Sequence, residues 1–501
     1  MGVNTMDYLI GLDIGTSGVK GVLITINGDI KASSNSNYEV FNPEPGWAEQ
    51  DPEDWWHAVL DVLRELNSKS DGTVIGISFS GQMHSAVFLD KNYNVIRPAI
   101  LWSDTRTNKQ CKEIESALKG RENLIVLTGN RALEGFTAPK ILWLKENEQN
   151  NYEKLKHLLL PKDYIRYRLT GVAAMDYSDG AGTLLMDVKN KKWSRILLNK
   201  LDIDKDILPP LVSSTDQVGK VSKEVSQITG LDPGIPVIAG GADNACGAIG
   251  SGIIEPERAM VSIGSSGVVL APSEKYQINS GGKLHLFNHA DSKKYYYMGV
   301  MLSAGQSLSW AKNKILPNDW SYDIFNKKAN NIDPGSEGLI FLPYLYGERT
   351  PHADANARGV FFGLSARHQR SHLARSVMEG ITFGLKDSLE LIKNKEVNLS
   401  RIRAIGGGVK SQLWQQILAD IFELPIDLLE VEEGPAYGAA IIAGVGVGAY
   451  ENFKEADNKL INIKKTIEPK ESNFEAYQKN YKTYKDLYPA LKDIYTYHSK
   501  S

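Results

Sequence analysis

Cysteine is nearly absent. Cys111 and Cys246 are the only two in 501 residues. They lie far apart and show no metal-ligand spacing, which argues against a disulfide framework and fits a reducing compartment. Long apolar runs are missing too. No stretch reaches the roughly 20 residues needed to span a bilayer, and the longest candidate, Ala439 to Ala449, is broken by glycines. The N-terminus has neither the basic region nor the apolar core of a secretory signal. An excess of one charge is also lacking. Lys+Arg 57 against Asp+Glu 60 leaves −3, so no strong field draws the chain to nucleic acid or to a membrane surface. The expectation is a cytoplasmic protein with no nucleic-acid and no membrane partner. G-x-x-x-x-G-K-[ST] does not occur, which closes the P-loop route to nucleotide binding. G-x-G-x-x-G, H-E-x-x-H and G-x-S-x-G are absent as well, and no segment is of low complexity.

What is present is a repeat. Ile14-Gly15-Thr16-Ser17-Gly18-Val19 returns as Ile263-Gly264-Ser265-Ser266-Gly267-Val268. Each copy follows an apolar run, Tyr8 to Leu12 and Ala259 to Ile263, so each reads as strand, glycine-hydroxyl turn, strand. Backbone N–H groups and hydroxyls in such a turn make a nest for phosphate. Two nests in two halves of one chain suggest a duplicated fold that clasps one nucleotide. The length is too great for a single core and suggests two to four domains.

The rest alternates strand and helix, which favours α/β layers. Asn27-Gly28 signals a type I′ hairpin. Asp51 caps a helix with Pro52 at its first position and a buried stripe of Trp55, Val59, Val62, Leu63 and Leu66. Val74 to Phe79 is a buried strand that delivers Ser80-Gly81-Gln82-Met83-His84 at its C-terminal end, where ligands sit in open α/β sheets. Pro236 to Ala239 likewise delivers Gly240-Gly241-Ala242-Asp243-Asn244. Ser371 is expected to cap a long helix with the stripe Leu373, Val377, Ile381, Leu385 and Leu389. Ile402 to Ile405 is a strand ending in Gly406-Gly407-Gly408, with a helix from about Ser411. Gly240 to Gly252 is the least helical, most glycine-rich zone near the middle, and the hinge is expected there. The Lys-rich tail after Asn452 is expected to be solvated, with some helix.

Asp13, at the tip of the first strand beside a nest, is the candidate Mg²⁺ carboxylate, since Mg²⁺ prefers hard oxygens and retained waters; the second copy has Ser262 there. Asp243, the one carboxylate in its run of small residues, is the candidate general base, because phosphoryl transfer needs Mg²⁺, phosphate positioning and a base that orients the attacking oxygen. His84 would donate a hydrogen bond to a substrate hydroxyl or carbonyl. Gln82 would add an amide and Met83 an apolar wall. The three glycines could admit adenine or ribose, or serve only a tight turn. Of Trp47, Trp55, Trp56 and Trp102, one could stack on a sugar, with core packing the role of the others.

In this order the segments resemble the FGGY family of carbohydrate kinases. Asp13 to Lys20 is similar to the family's first phosphate motif and Ile263 to Val268 to its second. Ala404 to Ser411, with Trp414, Gln416, Asp420 and Pro425, resembles its signature and adenosine motif, and Gly434-Pro435-Ala436-Tyr437-Gly438 the helix start that follows. Phe341-Leu342-Pro343-Tyr344 with Gly347-Glu348-Arg349 and Pro351 is family-like, and the likeness runs from about Tyr8 to Tyr450. Gly46 to Gln50, Gly81 to His84 and Gly241 to Gly247 are similar to the xylulokinases among them. The resemblance implies two ribonuclease H-like (actin-like ATPase) domains, 1–250 and 251–501, with ATP and a small-molecule sugar in the cleft between them. It implies Asp243 as base, Met83, His84 and Asn244 on the ketose, and Arg131 as a substrate contact of some members. For the nucleotide it implies Gly15, Thr16, Ser17, Lys20, Gly264, Ser265, Gly305, Ser309, Gly407, Gly408 and Ser411. Ser265 stands where Thr is usual and keeps the hydroxyl. Ser85 after His84 is shared with gluconokinase relatives. The expected reaction is ATP-dependent phosphorylation of D-xylulose at its terminal hydroxyl. Gluconate or ribulose are the alternative substrates, and a non-catalytic actin-like nucleotide switch or a sugar-binding regulator without turnover the alternative roles. Pairing into a homodimer stays open.

Overall fold

The computed structural model describes residues 6–431 and 433–498. Strands β1 (Asp7–Ile14) and β2 (Gly18–Thr25) form an antiparallel hairpin around the first repeat, and β3 (Ile30–Asn37) extends the meander. The β2–β3 connection corrects the expected type I′ turn. Gly28 is left-handed (φ +91) but Asn27 is not, and the Gly28 N–H donates to the Thr25 carbonyl at 2.9 Å. The turn is therefore of the longer kind that ends in one left-handed glycine. Helix α1 (Pro52–Ser68) starts as expected: the Asp51 carboxylate accepts from the Glu53 N–H, and the five stripe residues are fully buried. It packs on β2 and β3 and leads to β4 (Thr73–Gly81), which lies parallel to β1. Helices α2 (Pro161–Thr170) and α3 (Tyr177–Gly182) come before β5 (Gln217–Lys220), β6 (Pro236–Ile238) and a short β7 (Gly241–Ala242) that pairs with the end of β4. The spatial order is β5-β6-β4-β1-β2-β3.

The second sheet is built from β8 (Arg258–Ile263), β9 (Gly267–Ser273), β10 (His285–Asn288), β11 (Tyr295–Met301), β12 (Arg401–Ile405), β13 (Ile426–Leu429) and β14 (Ile463–Ile467). Its order is β10-β11-β9-β8-β12-β13-β14. In both sheets an antiparallel meander begins at a strand whose other neighbour is parallel to it: β1 beside β4, and β8 beside β12. The duplication signalled by the repeat is thus a duplication of topology, the ribonuclease H-like arrangement present twice.

Helix α4 (Asp243–Gly250) follows β7 directly. This corrects the expectation that Gly240 to Gly252 is the least helical zone. Its small residues serve close packing against a later helix rather than backbone freedom. Helix α5 (Arg370–Lys393) is the expected long one, but Gln369 caps it and not Ser371: the Gln369 side chain and the His372 ring satisfy each other's backbone N–H groups. Val377, Ile381, Leu385 and Leu389 are fully buried, whereas Leu373 is half-buried. Helix α6 (Gly434–Gly446) crosses α4 and covers β1 and β4. A Cβ on Gly438 would stand 1.8 Å from the Cys246 carbonyl oxygen, and one on Gly11 2.0 Å from that of Ala436. Only glycine allows so close an approach. The tail departs from a solvated surface. β14 extends the second sheet, and helix Phe474–His498 buries Tyr477, Tyr481, Tyr484, Tyr488 and Tyr495, packing on α5 and on helix Gln412–Phe422. Among the described residues no helix is long and apolar enough to cross a membrane.

Candidate active site

Asp13 and Ser262, equivalent in the two repeats, line one cavity of about 220 Å³ with Lys20, Gly406 and Glu433. The strand ends that lead into the two nests therefore face one cavity between the sheets. Each nest closes on itself: the Gly15 N–H donates to the Gly18 carbonyl at 3.0 Å and the Gly264 N–H to the Ser266 carbonyl at 3.0 Å. Gly305 opens helix Gly305–Trp310 against the second nest. Its N–H donates to the Gly264 carbonyl at 2.9 Å, and a Cβ there would stand 2.4 Å from that oxygen. Ser17, Gly264 and Ser265 are exposed. The Thr16 hydroxyl is engaged instead, accepting from Trp102 Nε1 at 2.9 Å and donating to Gln82 Oε1 at 3.4 Å. Lys20 stands opposite Asp13 in the β1–β2 register, its ammonium 2.5 Å from Glu433.

In the glycine run, Gly406 (φ +91) and Gly408 answer to packing. A Cβ on either would collide with Ile263, the last residue of β8. Gly407 faces open space, and Gly406 lines the cavity shared with Asp13 and Ser262. The Ser411 hydroxyl caps helix Gln412–Phe422 and donates to Asn326 at 2.9 Å, which commits it to the scaffold. Half-buried Ser309 accepts from Asn313 at 3.1 Å.

Asp243 is the first residue of α4, carried there by β7. Its Oδ1 accepts from the Asn244 N–H at 2.6 Å and from Asn244 Nδ2 at 2.8 Å. Burial, and then the charge of Asp13, push the carboxyl up to about 7. That is a suitable value for a base that must take a proton near neutral pH. Asp13 accepts from Ser80 Oγ at 2.7 Å through Oδ1, and burial raises its pKa against the pull of Ser80 and Lys20. No hydrogen bond or ion pair among the described residues engages Asp13 Oδ2. A free carboxylate oxygen beside a cavity with room for waters fits Mg²⁺, which keeps several waters and takes one or two protein carboxylates.

The structure brings Met83, His84 and Asn244 together. Asn244 Nδ2 contacts Met83 Sδ at 3.8 Å. His84 has φ +68, a left-handed conformation that costs a non-glycine residue about 1–2 kcal/mol. Thr137 Oγ1 at 3.0 Å and Lys140 Nζ at 2.9 Å on its carbonyl hold it there. The expected donor role of His84 is corrected. Burial pushes its pKa down to about 3, and Nδ1 lies 2.6 Å from the Gly182 carbonyl. The ring is therefore neutral, Nδ1–H donates to Gly182, and Nε2 is left as an acceptor for a substrate hydroxyl. Gln82 is also reassigned. Its amide bonds Gln50 at 3.1 Å, Ser85 at 3.2 Å and Thr16, so it braces the pocket from behind. Trp55, and Trp56 with it, belong to the core, Trp47 packs on Trp143, and only Trp102 stands 40% exposed at the first nest.

The charges of Lys140 and Arg349 add to the lowering of the His84 pKa, and those of Arg349 and Arg131 to the lowering at His285 beside it. The Arg131 segment docks on the second sheet, with Asn130 Nδ2 donating to the Leu286 carbonyl at 2.9 Å and Asn130 Oδ1 facing His285 at 2.8 Å. Residues that sequence reasoning missed come from this far side. His84, Phe136, His285 and Phe287 form an aromatic group, with His84 and Phe136 centroids 4.4 Å apart. Tyr296, fully buried on β11, has a hydroxyl without a partner among the described residues and lies in the field of Asp243. Their separation in sequence from His84 left no local signal.

The family model of the FGGY carbohydrate kinases matches this chain twice, its N-terminal domain over residues 8–250 and its C-terminal domain over residues 259–447. The chain belongs to the FGGY family of carbohydrate kinases. A xylulose kinase of Bacillus subtilis is 44% identical over 476 residues, covering 94% of this chain and 95% of that protein. A gluconokinase of the same organism is 30% identical, covering 94% and 93%. The solved structure of a ligand-bound xylulose kinase from Lactobacillus acidophilus is 30% identical and superposes with a TM-score of 0.94, covering 98% of this chain and all of that one. A kinase needs ATP and a sugar together, and the cleft offers both the paired nests and a base. The nucleotide-switch alternative ends here.

Proposed function

We propose that this FGGY kinase, acting in the cytoplasm, transfers the γ-phosphoryl group of ATP to the terminal hydroxyl of D-xylulose, giving D-xylulose 5-phosphate and ADP. The observation that carries this reading is Asp243, a carboxyl raised to about 7 beside Asn244, Met83 and His84 at the ends of β4 and β7. The sugar binds first, with His84 Nε2 accepting from one hydroxyl and Asn244 and Met83 on its flank. Residues 1–250 supply most of this pocket and residues 251–501 most of the nucleotide site. Phosphates lie between the two nests, whose N–H groups oppose the charge on the transferring group. Asp13 and the nearby phosphates would hold Mg²⁺, which supplies charge neutralisation when bound. Closure about the α4–α6 crossing excludes water. Asp243 takes the hydroxyl proton as the oxygen attacks the γ-phosphorus in line and the bond to ADP breaks.

One observation favours a second reading. The Arg349 guanidinium makes no hydrogen bond or close ion pair among the described residues, and its charge reaches His84. A sugar acid such as gluconate would give it a partner. Coupled ADP release with MgATP against D-xylulose, D-ribulose, L-ribulose, D-gluconate, glycerol and no sugar separates the two. Stimulation by D-xylulose above the rest is expected; stimulation by D-gluconate above D-xylulose would move the substrate to the acid.

His84→Ala should raise the sugar KM by about tenfold, the worth of one hydrogen bond to a buried acceptor, and leave the ATP KM unchanged. Equal rises in both would remove His84 from the sugar pocket.

A further inference from the structure

Three carboxylates, Asp163, Asp176 and Asp179, converge behind the site, their ligand oxygens within 4.8 Å of one another. The ammonium of Lys162 stands among them, 2.6 Å from Asp163 Oδ1, 2.8 Å from Asp176 Oδ1 and 3.0 Å from Asp179 Oδ2. Lysine carries three N–H donors; here the ammonium hydrogen-bonds Asp163 Oδ1 and makes close ion pairs with Asp176 and Asp179. All four side chains are 0–1% exposed. Burial of a charge is strongly unfavourable unless it is paired; Lys162 and Arg166 offset most of the charge of the three carboxylates, and burial pushes the Asp179 carboxyl well above the usual carboxylate range.

The cluster reaches the base by two routes. Asp176 Oδ2 accepts from the Ser178 N–H at 2.8 Å and from the Ser178 hydroxyl, and Ser178 Oγ in turn accepts from the Ala242 N–H at 2.9 Å. Ala242 immediately precedes Asp243. Arg166, 3.1 Å from Asp163 Oδ1, donates to the Ala239 carbonyl at 2.6 Å. The four-residue stretch that carries Asp243 is therefore held at both ends. The same cluster also reaches His84. Asp176 caps α3, and Gly182 at the other end of α3 presents the carbonyl that receives His84 Nδ1–H. Lys162 also backs Gly81, where an added Cβ would stand 3.0 Å from the lysine Cβ, just before Gln82 to His84.

We propose that Lys162 is a positioning residue for phosphoryl transfer: through Asp176 and Ser178 it fixes the Ala242 N–H and thereby the aim of Asp243, and through α3 it fixes the ring of His84. This rests on the reading of Asp243 as the base.

The sensitive variant is Ser178→Ala, which cuts one hydroxyl out of the relay and leaves the Lys162 ion pairs in place. Sugar-dependent kcat should fall by about 10- to 100-fold, the cost of a small misplacement of a reacting group. The MgATP KM should stay within about twofold of wild type, well below that loss. The acid limb of kcat/KM for the sugar should move to lower pH, because water reaches a loosened Asp243 and relieves its desolvation. Ser178→Thr, which keeps the hydroxyl, should restore all three. Lys162→Met should lower kcat at least as far, and the double variant should fall no further, as expected of two members of one relay. Wild-type kcat and an unmoved acid limb in Ser178→Ala would overturn the proposal, and so would fully additive losses in the double variant. If Lys162→Met does not fold, the Ser178 arm decides alone. Full turnover in Asp243→Ala would sink the base itself; an inactive Asp243→Ala beside an unaffected Ser178→Ala would overturn only the relay.

Discussion

Asp243→Asn is expected to lose turnover and gain stability at the same time. Turnover should drop by roughly 10²–10⁴-fold, the usual worth of a general base, while the fold stays intact. The gain in stability follows from linkage. In the folded protein the Asp243 carboxyl is raised from 3.8 to about 7, by burial first and by Asp13 second. Between those values the folded state binds a proton that the unfolded chain does not, so folding is progressively penalised as pH rises. An amide carries no such penalty. The melting temperature of Asp243→Asn should therefore match wild type at pH below about 4, pull ahead as pH rises, and level off above about 7. The same titration sets activity in the opposite sense. The base works only when ionised, so kcat/KM for the sugar in wild type should fall as pH drops through the Asp243 pKa. His84 adds nothing to that limb, because its own pKa is held down near 3 and it is neutral throughout the range. Wild-type turnover in Asp243→Asn would end its role as base; an unchanged melting temperature at pH 8 would show that Asp243 is not held in a desolvated site.

The sequence made the elements legible where local chemistry decides them. The repeat announced two hairpins because a glycine-hydroxyl turn behind a β-branched strand has few alternatives. Asp51-Pro52 announced α1 because capping is a local event. Local signals failed where tertiary packing overrode them. Gly240 to Gly252 looks flexible, yet it is helical because α6 lies close enough to need small partners. Ser371 looks like a cap, yet the Gln369–His372 pair takes that place two residues earlier. The candidate site divides in the same way. Asp13, Met83, His84, Asp243 and Asn244 stand at strand ends and could be found by following strands. His285, Phe287 and Tyr296 come from the other sheet and Arg349 from a loop of the same half, and their place beside His84 and Asp243 is a property of how two halves meet. The sense of the His84 hydrogen bond is not legible locally either, since its tautomer depends on Gly182, 98 residues away in sequence.

Asp13→Asn should weaken the dependence of the rate on Mg²⁺, raising the concentration for half-maximal rate by about tenfold or more, as loss of a metal-linked group commonly does. A second, independent consequence follows from the charge it removes. Asp13 is the group whose charge, after burial, raises the Asp243 carboxyl. Without that charge Asp243 should ionise more easily, so the acid limb of kcat/KM should move to lower pH in Asp13→Asn. A cation held by Asp13 would cancel the same charge in the wild-type enzyme. Raising Mg²⁺ should therefore move the wild-type acid limb to lower pH and leave the limb of Asp13→Asn where it is. The two carboxylates then form one electrostatic unit in which loading the metal site prepares the base. The Ser80 hydroxyl, at the end of β4, donates to Asp13 Oδ1 and leaves Oδ2 as the oxygen that would take the cation. An acid limb that responds to Mg²⁺ equally in wild type and Asp13→Asn would place the cation elsewhere and separate the two groups.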